Sequence, residues 1–249
     1  MIEHEEIIKI RKKRDKDESL FCEKCEHTGR FYFIDKDKQV NHRYCECYLK
    51  SYNQKNYPIL LKRSKIPSIA WKFNLNDYSN TGITKEEVDK NNQTIEKIRK
   101  ICVDIVNFCD SGNNCFVQGQ KGTGKTIMAC LIARYAMING RATAYTELTT
   151  AASILLREMN DEDRNWIEYI RWCKFLVIDN IDLFQTKGNL QESIFDQIVR
   201  PRIQNNLSCC FVSTIPFKLI GEKIGQNNAS LIHERCELLS LVGKDFRSQ

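Results

Sequence analysis

The sequence predicts an α/β fold: a parallel sheet flanked by helices, preceded by a small segment that cysteine thiolates hold together. Three observations predict it. Apolar runs of strand length alternate with segments of helical period over most of the chain. One strand runs into the glycine-rich stretch "GQKGTGKT", and another, "FLVI", ends on an aspartate. Near the N-terminus a C-x-x-C is followed by a C-x-C in charged surroundings with little apolar material.

Composition bounds the problem. The chain has 249 residues, 42% of them hydrophobic, which is enough for one medium domain and an appendage. No apolar run approaches the roughly 20 residues of a membrane helix, and the N-terminal charges have no apolar stretch behind them, so the expected address is cytoplasmic. A net charge of +6 is compatible with nucleic acid without demanding it. The run Lys9 to Lys16 is matched by acids on both sides and reads as a solvated helix face.

In chain order, the cysteines come first. There are twelve, and a cytosolic chain keeps them reduced, so spacing carries the information. Cys102, Cys109, Cys115, Cys130, Cys173, Cys209, Cys210 and Cys236 lie in apolar segments and read as small core residues. Cys22, Cys25, Cys45 and Cys47 do not. Four thiolates bind zinc tetrahedrally, and the metal supplies folding free energy that so small a segment cannot obtain from burial. His27 and His42 could each replace a sulfur, though both also read as exposed loop histidines. A free-thiol loop is the plain alternative, and the boundary falls after a polar helix and linker: residues 1–62 form the zinc-binding domain and 63–249 the nucleotide-binding domain.

The second domain opens with "SKIPSIAWKFNLNDY", extended around Ile66 and Pro67. A helix over 92–109 carries Ile95, Ile98, Ile101 and Ile105 on one face. The strand over 115–118 then enters a match to G-x-x-x-x-G-K-[ST], with Gly119, Gly124, Lys125 and Thr126 in the fixed places and Gln120, Lys121, Gly122 and Thr123 between, and a helix from Ile127 to Gly140 follows. Strand, loop, helix is the context that the motif requires. Backbone N–H groups of the loop and the first helical turn then face phosphate oxygens; Lys125 is a point charge for the β and γ phosphates of ATP, and the Thr126 hydroxyl is a magnesium ligand.

A strand over 142–146, a helix over 150–159 and an amphipathic segment over 162–173 come next, then the buried strand over 174–178 that ends at Asp179. A carboxylate at the C-terminal end of such a strand is placed to hold magnesium beside Thr126. Asn180 occupies the place where an acid ordinarily activates water, and an amide cannot accept the proton. Three alternatives stay open: slow hydrolysis, substitution by Asp182, or a protein that works mainly by binding ATP. A helix over 190–205 and a strand over 209–213 finish the alternation, leaving Ser213 and Thr214 as strand-end hydroxyls near the γ phosphate. In the mixed tail Arg235 and Arg247 stand out as arginines able to stabilise a transferred phosphoryl group. Tyr44, Tyr48 and Tyr52 with their basic neighbours are the candidates for stacking on single-stranded DNA.

With "CEKCEHTG", "CEC", "IPSIAWKFNLNDY", the glycine-rich run, "FLVIDNID", "STIPF", "HER" and "GKDFR" in place, the chain resembles the AAA+ ATPases of the DnaC/DnaI helicase-loader family, relatives of the IstB-type transposition helpers. The resemblance implies a P-loop AAA+ sheet in which Thr214 is the sensor 1 residue, Arg235 a finger acting on the neighbouring subunit's ATP, and Arg247 the sensor 2 arginine. It implies a homo-oligomer in the ATP state that binds the replicative hexameric helicase through its N-terminal region and loads it onto single-stranded DNA. The family usually carries an acid at the position of Asn180. The stretch after Thr214 is too short for both a helical lid and a DNA-binding module, which sets the reading apart from replication initiators.

Overall fold

The computed structural model describes residues 22–25, 30–34, 40–78, 84–182, 190–234 and 236–245. The charge run over 9–16, His27, Arg235 and Arg247 lie outside the described residues. Two compact units result, one through Tyr57 with Ile138–Gly140, the other comprising Pro58–Met137 and Arg141 onward.

The first unit contains an antiparallel pair, β1 (Arg30–Ile34) and β2 (Val40–Tyr44), with Arg30 opposite Tyr44. Helix α1 (Glu46–Lys55) leaves β2 directly through Cys45 and buries none of its residues. Cys25 and Cys45 are buried. A unit this small gains stability from a cross-link.

The second unit is the sheet and its helices. Helix α2 (Tyr57–Arg63) precedes it. Helix α3 (Lys85–Val103) starts at a capping box, in which the Thr84 hydroxyl accepts from Glu87 N and the Glu87 carboxylate accepts from Thr84 N. That cap contributes about 1 kcal/mol and fixes the start earlier than apolar period alone suggests. The single helix expected over 92–109 is two: α3 ends at Asp104, whose φ of −103° and ψ of 28° leave the helical region, and α4 (Ile105–Asp110) sets off anew. Ile98, Ile101 and Ile105 are buried as expected, while Ile95 is half-buried.

Strand β3 (Asn114–Gly119), helix α5 (Lys125–Ile138), β4 (Thr143–Glu147), α6 (Leu148–Leu155) and α7 (Asp161–Trp172) follow. Helix α6 begins straight after Glu147, without the loop expected before Thr150. Strand β5 (Phe175–Asp179), helix α8 (Leu190–Gln204), β6 (Ser208–Ser213), the short α9 (Gly221–Ile224), α10 (Gln226–His233) and β7 (Cys236–Leu241) complete the unit.

The five strands pair in the order β4-β5-β6-β3-β7, all parallel. Every residue of β5 and β6 is buried, as helices on both faces require. Phe116, Phe175, Phe195 and Phe211 are fully buried. Strand β7 is the element that periodicity missed: "CELLSL" reads as a mixed tail, yet it pairs with β3 along its whole length, from Asn114 opposite Cys236 to Gly119 opposite Leu241. As an edge strand it buries only Leu239 and Leu241, so its apolar signal is weak.

Candidate functional site

The order of the sheet builds the site. Strand β6 lies between β3, which ends in the glycine-rich loop, and β5, which ends at Asp179, so the three strand ends lie side by side at one edge of the sheet. Crevices at the C-terminal ends of parallel strands are where such folds bind ligands.

The loop itself needs its glycines. Gly119, Gly122 and Gly124 take φ of 153°, 75° and 87°. A Cβ on Gly119 would run into the Leu241 carbonyl, and one on Gly122 into the Asp245 side chain. Lys125, the first residue of α5, is buried, and its ammonium donates to the Gln120 carbonyl at 2.7 Å.

Across the crevice the Thr126 hydroxyl donates to Asp179 Oδ2 at 2.7 Å, and the Tyr145 hydroxyl donates to the same oxygen at 2.9 Å. Asp179 Oδ1 accepts from Asn180 N at 2.8 Å, so both carboxylate oxygens of this buried residue are held. Burial, reinforced by the Asp179 charge and the hydrogen bond to it, pushes the Tyr145 phenol far up and keeps it a donor. Asn180 itself sits at φ 55°, in the left-handed region that asparagine tolerates.

A cavity of about 630 Å³ opens here, lined by Gly122, Gly124, Lys125, Thr126 and Ile127 at one end and by Tyr145, Glu147, Asp179 and Asn180 at the other. Ile69, Phe73 and Tyr78 give it an apolar wall, drawn from the "SIAWKFNLNDY" segment. Its size and its lining, apolar with a few convergent polar groups, suit a nucleotide. Loop amides, Lys125, the Thr126 hydroxyl and Asp179 form a donor set that fits a magnesium-bound triphosphate. Glu147 and Tyr145 are cavity residues that sequence reasoning missed. Both look like ordinary strand residues until β4 is seen to lie beside β5.

Thr214 lines a second, smaller cavity of about 220 Å³ on the other side of the loop, with Gly119 and Gln120. Asp182 accepts from both the Thr214 backbone N–H, at 3.1 Å, and the Thr214 hydroxyl. It is buried and absent from the lining of either cavity, so its carboxylate positions Thr214. Ser213 turns its hydroxyl to accept from Ile215 N at 2.9 Å, closing the turn after β6.

In the first unit, Cys22, Cys25, Cys45 and Cys47 converge, with all four Sγ atoms within 4.8 Å of one another. Cys22 and Cys45 are 3.8 Å apart and Cys25 and Cys47 3.5 Å. Four sulfurs at the zinc–sulfur distance of about 2.3 Å form a tetrahedron with edges of about 3.8 Å, so the donor set fits zinc. His42 is exposed on β2. From the same strand end the rings of Tyr44, Tyr48 and Tyr52 form a ladder, with centroids 4.8 and 6.2 Å apart and planes inclined by 15° and 21°. The Arg30 guanidinium lies 5.3 Å from the Tyr44 ring.

Comparison with known proteins bears on the fold. No family model and no curated protein sequence matches the chain. Solved structures do. The DnaC helicase loader superposes with a TM-score of 0.59 at 19% identity, covering 70% of this chain and 99% of that one. DnaI superposes with a TM-score of 0.55 at 14% identity, over 72% of this chain and 93% of that one. A primosome component of Streptococcus pyogenes gives a TM-score of 0.55 at 14% identity, over 75% and 96%. None of the helices among the described residues is long and apolar enough to cross a membrane. A central parallel sheet with the glycine-rich loop, Asp179 and Thr214 at its strand ends, superposable on these proteins over most of their length, gives this chain the fold of the DnaC helicase loader and DnaI.

Proposed function

We propose that the chain is an ATP-dependent replication protein that binds the replicative hexameric helicase and loads it onto single-stranded DNA. The observation that carries the reading is the contact between Thr126 and Asp179 at the floor of a nucleotide-sized cavity. Residues 119–127 would hold ATP, and the Thr126 hydroxyl and the Asp179 carboxylate would hold its magnesium, which would offset phosphate charge. Thr214, held by Asp182, faces the end of the loop where it can report the γ phosphate. Arg235 from a neighbouring subunit and Arg247 complete the site, so association into a homo-oligomer depends on nucleotide state.

Residues 1–62 are the zinc-binding arm that engages the partner, and 63–249 the ATPase domain. Similarity to the DnaC helicase loader and to a primosome component supports the choice of partner. The ladder of Tyr44, Tyr48 and Tyr52 supports contact with single-stranded DNA, because stacked, part-exposed aromatics beside cations are what unpaired bases stack on. The expected compartment is the cytoplasm.

Native mass spectrometry of the chain with a non-hydrolysable ATP analogue and a candidate hexameric helicase tests the reading. A defined complex that forms with the analogue and not without it is the expected result; no nucleotide-dependent complex with any replicative helicase would overturn it. The same experiment with a transposase in place of the helicase separates this function from that of an IstB-type helper. One observation favours a second reading, a hydrolysis-poor ATP clamp: Asn180 stands where an acid would activate water. Single-turnover γ-phosphate release distinguishes clamp from ATPase.

A further inference from the structure

We infer that Glu147 is the general base for ATP hydrolysis, in the place that Asn180 cannot fill. The inference rests on the nucleotide reading of the cavity and assigns the one chemical role that reading leaves empty.

The argument starts from the pairing of two strands. Glu147 ends β4, Asp179 ends β5, and the two are register partners in a parallel ladder. Neighbouring strands lie about 4.8 Å apart, and residues in register project to the same face. Tyr145, two residues before Glu147, shares that face, and its hydroxyl reaches Asp179. Glu147 lines the cavity with Lys125, Thr126, Asp179 and Asn180.

The other carboxylates nearby are committed. Asp179 has both oxygens engaged. Asp182 accepts twice from Thr214. Asp77 lines the cavity on its apolar side, and its Oδ2 accepts from Asn74 N at 2.7 Å in a capping box. Among the described residues, no hydrogen bond or ion pair engages the Glu147 carboxylate, although it is only part-exposed. A carboxylate left uncommitted beside a phosphate site is available to take a proton.

The step balances without a further reactant. A water molecule gives its proton to Glu147 as its oxygen bonds to the γ-phosphorus of ATP. The bond from that phosphorus to the β–γ bridging oxygen breaks, and its electron pair stays on the β-phosphate. ADP and inorganic phosphate leave, and Glu147 returns the proton to phosphate or solvent. Asn180, at the cavity wall with its amide, can orient the water by hydrogen bonds.

The test is single-turnover γ-phosphate release by the full chain, with and without oligo-dT, alongside calorimetric ATP binding. Glu147→Gln keeps shape and removes basicity, so it is expected to slow release by about 100-fold or more while ATP affinity stays within about twofold. Adding Asn180→Glu to that variant is expected to recover release, because it returns a carboxylate to the neighbouring strand end. Release by Glu147→Gln at the wild-type rate would overturn the inference, as would a wild-type chain that binds ATP and never releases phosphate. A wild-type chain that binds no ATP would instead take down the nucleotide site itself, and the inference with it.

Discussion

Thr126 and Asp179, 53 residues apart in sequence, share a hydrogen bond of 2.7 Å at the cavity wall. A hydroxyl and a carboxylate in contact before any cation arrives form a preorganised pair of hard oxygen ligands. Thr126→Ala is therefore expected to abolish most of the magnesium enhancement of ATP affinity, leaving metal-free binding within about threefold. Calorimetric titrations with and without magnesium check this.

Tyr145 supplies the second donor to the same oxygen. Replacing it with phenylalanine removes one of the two side-chain donors that hold Asp179 Oδ2. Tyr145→Phe is expected to weaken magnesium-dependent binding by about tenfold, from the loss of one hydrogen bond to a charged group. A pH signature accompanies it. The phenol of the folded chain is raised above its unfolded value of about 10, so it contributes stability below that pH, and the contribution is lost as pH rises above it. Alkaline denaturation of Tyr145→Phe is expected to be less steep than that of the wild type.

Arg202 is fully buried in α8, and among the described residues no carboxylate pairs with it. Its guanidinium donates to the carbonyls of Ile170 at 2.7 Å, Ser208 at 2.6 Å and Arg171 at 3.3 Å, and to the sulfurs of Cys209 at 3.1 Å and Cys173 at 3.5 Å. Ile170 and Arg171 lie in the last turn of α7, whose open carbonyls favour a cation. Arg202→Met fills the volume and strands those carbonyls, with an expected loss of about 3 kcal/mol in urea denaturation.

The four-cysteine cluster predicts one zinc per chain, lost on substitution of Cys25 by serine. Protons compete with the metal for thiolates, so retention falls as pH falls. Elemental analysis after dialysis at pH 7 and pH 5 reads both effects. Circular dichroism of the chelated chain is expected to lose the signal of α1, which buries none of its residues.

The contrast between Asp179 and Glu147 shows how much of this was legible beforehand. Asp179 could be picked out because it follows four apolar residues and sits far downstream of a recognisable loop. Glu147 could not, since a glutamate at the end of a short strand is unremarkable until the neighbour of that strand is known. The same holds for Asp182, whose tie to Thr214 depends on β5 and β6 being adjacent.

By itself the sequence determined the strand–helix alternation, the glycine-rich loop and the four-cysteine set, because all three rest on local chemistry: hydrophobic period, the backbone freedom of glycine, and ligand spacing. Only the tertiary structure decided the strand order, the place of β7 at the edge of the sheet, and which acids enter the cavity. Those depend on pairing between segments dozens of residues apart, where hydrogen bonds run from backbone to backbone and leave no mark on the side chains that make up the sequence.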